Sequence, residues 1–100
     1  MRLAAGRRRQ VDTTAIPRQN PETAARVIDE ALYILHAETS DLHALNDVGA
    51  RIWELLDGER TVAGIASTIE SEYEVDQAQA EADVIAFLDE LVEKGLVLLA

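Results

Sequence analysis

A chain of 100 residues suffices for one small domain with a modest margin of stability. Its 48% apolar content excludes a disordered chain, and only 4% aromatic residues call for a core of Leu, Ile, Val and Ala. The absence of cysteine excludes a disulfide scaffold or a thiolate metal site and fits a cytoplasmic location.

The net charge of −10 is unevenly spread. Residues 1–20 carry five Arg against Asp12, or +4, while the remaining residues carry four basic and 18 acidic side chains, or −14. A body that acidic repels nucleic acid and anionic membrane surfaces, and it attracts basic peptides or basic protein surfaces. No apolar run is long enough to cross a bilayer. The N-terminal arginines lack the apolar segment that a signal peptide requires.

Residues 1–22, with Gly6, Pro17, Pro21 and the triplet Arg7–Arg9, read as a flexible basic arm, and residues 23–100 as the folded domain. From Ala24 the pattern becomes strand-like. "ARVID", "ALYILHA" and "DLHALN" are three short β-compatible runs, with "ETS" as turn chemistry before the third. A two-residue turn at Thr39–Ser40 would set His36 opposite His43 and Ile34 opposite Leu45. Leu32, Ile34 and Leu45 then share one face, and Tyr33, Leu35, Leu42 and Ala44 the other.

Three helices follow. Asn46 is an N-cap candidate, with Val48, Ile52, Leu55 and Leu56 at helical spacing and Gly58 as the left-handed stop. Trp53 lies at the edge of that stripe, where partial burial is the expectation. Thr61 caps a second helix striped by Val62, Ile65, Ala66, Ile69 and Tyr73. Asp76 and Gln79 resemble a capping box opening the longest helix, which buries Val84, Leu88 and Leu91 and is widened by Ile85 and Val92. Gly95 stops it, and "LVLLA" closes the chain as a short strand or packed tail. The order is strands, then three helices, an α+β arrangement.

Little here carries catalytic chemistry. His36 and His43 are two potential ligands with no second pair, so a metal site is not expected. The carboxylates lie mostly on polar helix faces, and Ser40, Ser67 and Ser71 lack a nucleophile-elbow context. No glycine-rich phosphate loop is present. An acyl carrier is set aside because "SDL" at residues 40–42 has the wrong order for a carrier serine. The expectation is a non-enzyme without cofactor.

The outline of residues 45–73 suggests a helix-turn-helix, yet Thr61 to Glu93 holds no Lys or Arg. "LN" with "VGARIWELLDG", then "RTVAGIA", then "EADVIAFLDELVEKGLV", resembles the PqqD family of small peptide chaperones, over roughly residues 24–98. The resemblance implies a winged-helix-like fold with an N-terminal three-stranded antiparallel sheet followed by three helices. It also implies a function: binding the leader segment of a ribosomally made precursor peptide and presenting it to a modifying enzyme, often a radical SAM protein. The leader would add as a strand beside the third strand, in the groove against the third helix. In this numbering the implied peptide-binding residues are Asp41, Leu42, His43, Ala44 and Leu45 on the strand, with Asp83, Phe87 and Glu90 on the helix. Quinone-pathway members usually carry a Pro-Glu motif shortly before the Leu-Asn and a cysteine before the Asp-Gly. Here those places hold "DLHA" and Leu56, so another peptide class is equally open.

Strand addition also follows from general physics, since an open edge offers unpaired backbone donors and acceptors. An acidic long helix would favour Lys or Arg in the leader. Two rivals use the same elements: a winged-helix DNA-binding regulator, which needs a basic docking face, and a generic interaction module, for instance a homodimer.

Overall fold

The computed structural model describes residues 11–99. In chain order it contains β1 (Pro17–Gln19), β2 (Thr23–Ile28), β3 (Ala31–His36), β4 (Leu42–Leu45), α1 (Asp47–Glu54), α2 (Val62–Tyr73), α3 (Gln77–Glu93) and β5 (Val97–Leu99). Strands β2, β3 and β4 form an antiparallel sheet in that order, and β1 pairs with β5 in a separate two-stranded ribbon. The expected α+β, winged-helix-like arrangement of a three-stranded sheet and three helices is present, with the ribbon as an addition.

Alternation sorts the sheet into two faces. Leu32, Ile34 and His36 of β3 are buried against the helices, while Leu35 and Leu42 on the opposite face are 41% and 62% exposed. The expected faces therefore hold, but the register does not. Leu32 pairs with Leu45, Ile34 with His43 and Leu35 with Leu42, so the β3–β4 pairing is shifted by two residues from the two-residue turn expected. The cause is a longer connection. The amide of Ser40 donates to the His36 carbonyl at 2.8 Å, and Ser40 takes a left-handed φ of 61°. Because the shift is even, every side chain keeps its face.

Each helix starts on a side-chain cap. The side chains of Asn46, Thr61 and Asp76 accept from the amides of Gly49, Gly64 and Gln79. The Asp76 capping box is only half made, because the Gln79 side chain turns forward to donate to Asp83 at 2.8 Å. Helix α1 ends at Glu54, earlier than expected, and Leu55 and Leu56 continue into the core outside it. Gly58, at φ 79°, serves the following turn rather than the helix end. That turn is fastened by Asp57, whose Oδ1 accepts from the amides of Glu59 and Arg60 at 2.9 Å each. Helix α3 does end as expected. Gly95 (φ 77°) donates to the Val92 carbonyl and Leu96 to that of Leu91, at 3.0 and 2.9 Å, a Schellman closure with two buried leucines behind it.

The core joins the inner face of β3 to α1, α2, α3 and β5 through Ile34, Ile52, Ile65, Val84, Leu88 and Val97. Trp53 is 3% exposed, more deeply buried than expected, whereas Tyr73, assigned to the α2 stripe, is 38% exposed at the helix end. Residues 11–22 also depart from the expected flexible arm. Val11 is buried in the core and Pro17 is buried where β1 pairs it with Leu99, while the carbonyls of Thr13 and Ala15 accept from the free amides of Ala63 and Val62 at the start of α2. Residues 1–10 of that arm, including Arg7–Arg9, lie outside the described residues.

Candidate functional site

Among the described residues strand β4 pairs with β3 alone, so its other edge is open. Ladder geometry shows which of its backbone groups are free. The His36 amide donates to the Asp41 carbonyl at 3.1 Å, and in an antiparallel pair such hydrogen-bonded positions recur at every second residue. Ile34 with His43 and Leu32 with Leu45 are therefore the hydrogen-bonded pairs, and Leu35 with Leu42 and Tyr33 with Ala44 the others. The N–H and C=O groups of His43 and Leu45 point into the sheet. Those of Leu42 and Ala44 point out along the open edge.

Beside that edge runs a groove of about 440 Å³ lined by Leu42–Leu45 of β4, the α1 N-cap Asn46, Phe87, Glu90 and Leu91 of α3, and the α3 C-cap Lys94. The structure thus brings together Leu42, His43, Ala44, Leu45, Phe87 and Glu90, all named from the sequence. Asp83 is one turn away, in an adjoining concavity of about 320 Å³ with Val48, Gly49, Ile52 and Phe87. Phe87 and Asn46 line both hollows. Asp41 does not line the groove. It lies in the hairpin connection, its amide 3.3 Å from Thr39 Oγ1.

The groove's charge differs from the acidic wall expected. Lys94 Nζ lies 2.9 Å from Glu90 Oε2, and the two nearly cancel. That hydrogen bond and the ammonium charge hold the Glu90 carboxyl below its ordinary range, and charge on His43 acts in the same direction. Lys94 was missed from the sequence although it sits one turn after Glu90, the spacing of a helical ion pair. Leu91 and Asn46 were read only as core and cap, yet both line the groove. The histidine pair is not formed, since His36 stands opposite Asp41 and His43 opposite Ile34. Among the described residues no three His, Cys, Asp or Glu side chains gather as a metal site, and no helix is long and apolar enough to cross a membrane.

A family model described as coenzyme PQQ synthesis protein D (PqqD) matches residues 32–97. The chain belongs to the PqqD family. The match takes in β3, β4 and all three helices, hence every wall of the groove. The PqqA binding protein of Rhodopseudomonas palustris strain HaA2 is 43% identical over 54 residues, 54% of this chain and 53% of that protein. The chain thus spans about half the length of that curated relative. A solved structure, a lasso peptide synthetase B1 complexed with the leader peptide, is 32% identical with a TM-score of 0.76, covering 84% of this chain and 99% of that one. The PqqD part of Methylobacterium extorquens PqqCD, a stand-alone recognition element for ribosomally made modified peptides, shares the fold at TM-score 0.75 and 24% identity. That match covers 88% of this chain and 94% of that one.

Proposed function

We propose that this PqqD-family chain binds the leader segment of a ribosomally made precursor peptide by strand addition to β4 and presents it to a modifying enzyme, such as a radical SAM protein. The observation that carries the reading is the β4 edge, unpaired among the described residues, running beside a groove of mixed polar and apolar walls. A peptide laid along it pairs its backbone with Leu42 and Ala44. Its alternate side chains drop between His43, Leu45, Phe87 and Leu91. Backbone pairing supplies affinity and the groove supplies specificity. The likeness to a synthetase B1 complexed with a leader peptide supports leader binding. Binding, rather than bond-making, is the activity proposed, and neither a cofactor nor nucleic acid enters it.

Because Glu90 is matched by Lys94, a leader needs no basic residue beside it. Asp83, exposed and accepting a hydrogen bond from Gln79, is where a Lys or Arg of the leader gains from charge. Fluorescence anisotropy with labelled synthetic leader peptides tests the proposal. Saturable binding that an unlabelled leader displaces is expected, and a chain indifferent to every leader overturns it.

A further inference from the structure

Helices α1 and α2 both carry glycine at the third helical position, Gly49 and Gly64, and each donates its amide to its own N-cap side chain. Glycine is a poor residue inside a helix. Neither has a left-handed φ, and the capping bond needs only an N–H, so neither conformation nor capping explains the choice. The surroundings separate them. A Cβ on Gly64 would meet only Thr61 Oγ1 at 3.5 Å, an ordinary contact. A Cβ on Gly49 would meet Phe87 Cε1 at 3.0 Å, Phe87 Cζ at 3.2 Å and Asn46 Oδ1 at 3.2 Å.

We infer that Gly49 is a positioning residue for the groove: its bare backbone is the seat on which the Phe87 ring rests. The inference builds on the leader-binding reading of that groove. Phe87 is half-buried and borders open space on both sides. A methyl group at position 49 therefore displaces the ring, its nearest neighbour, while also crowding the Asn46 cap oxygen. Toward β4, the ring enters the space that an inward leader side chain would occupy. Gly49 thus helps set the size of apolar side chain that the groove accepts, without touching the peptide.

Gly49→Ala, with Gly64→Ala as its matched control, tests this in two arms. The first needs no peptide. NMR of Gly49→Ala should show shifted ring-current effects on Leu42–Leu45 and altered contacts from the Phe87 ring protons to β4, while Gly64→Ala leaves both unchanged. The second arm uses the leader peptide of the lasso synthetase B1 complex, intact and with each apolar residue replaced in turn by alanine. Gly49→Ala should weaken the intact peptide roughly tenfold, the scale of one wall contact, and should weaken the variant lacking the groove-filling residue less. In a Phe87→Ala background the Gly49→Ala effect should vanish. A Gly49→Ala protein whose ring contacts match those of Gly64→Ala overturns the inference, as does an equal loss of affinity with and without Phe87. Failure of the unsubstituted protein to bind the peptide counts against the leader reading alone, because the ring position decides the role of Gly49 without it.

Discussion

His43 stands directly opposite Ile34 in the β3–β4 ladder, and the alternation of hydrogen-bonded pairs turns its amide into the sheet. The amides free for a peptide are those of its neighbours Leu42 and Ala44. Proline substitution therefore separates two effects along four residues. Ala44→Pro should abolish leader binding while leaving the melting temperature close to that of the parent, since an edge proline whose missing N–H faces outward costs the sheet little. His43→Pro should lower the melting temperature by removing a bond to Ile34. Thermal denaturation followed by circular dichroism, paired with anisotropy, distinguishes the two. Equal unfolding by both variants would show that the ladder phase is wrong.

Leu56 is 4% exposed, just beyond α1. Leu56→Asp places an unpaired carboxylate in the core at a cost of several kcal/mol, comparable to the stability of a small domain. The expected outcome is a chain without a cooperative thermal transition. An unchanged midpoint would contradict the packing described.

Asp57 has its carboxyl held below the ordinary range, first by the Arg60 amide and then by that of Glu59, with the Arg60 guanidinium adding attraction. A carboxyl depressed on folding contributes stability above its unfolded value. That contribution disappears as the pH falls through the lower folded value. Asp57→Ala should thus lower the melting temperature at neutral pH. The gap to the parent should begin to narrow only near about pH 4, where unfolded carboxyls titrate, and close further below. A gap that stays constant through that range would show that the ionised form is not what holds the turn.

Duplex DNA should not bind, because residues 21–100 sum to −14 and phosphate neutralisation drives such contacts. Polarisation at physiological salt checks this. Micromolar binding that survives removal of residues 1–10 would favour the regulator reading.

Much of the fold was legible because its signals are local. Asn46, Thr61 and Asp76 cap helices through residues three positions ahead, and Gly95 closes α3 on its own last turn. Long-range pairings left weaker marks. Pro17 and Leu99 meet across the length of the chain in strands of three residues, too short for alternation to show, so residues 11–22 looked like an arm. The β3–β4 register was lost to a left-handed Ser40 that no sequence rule demands. At the site, the flank position of Phe87 and Glu90 was readable from helical spacing. That Lys94 neutralises Glu90 was equally local and was overlooked, whereas that Asp83 faces a neighbouring hollow depends on where α1 crosses α3.

Strand addition at β4 is tested most directly by amide shift mapping of the labelled protein titrated with a leader peptide that binds it. The largest changes should fall on Leu42 and Ala44, whose free amides gain partners, and on Phe87, Glu90, Leu91 and Lys94 across the groove. Changes centred on α2, or on the outer sheet face at Ile28 and Leu35, with Leu42, Ala44 and Phe87 unmoved, would contradict it.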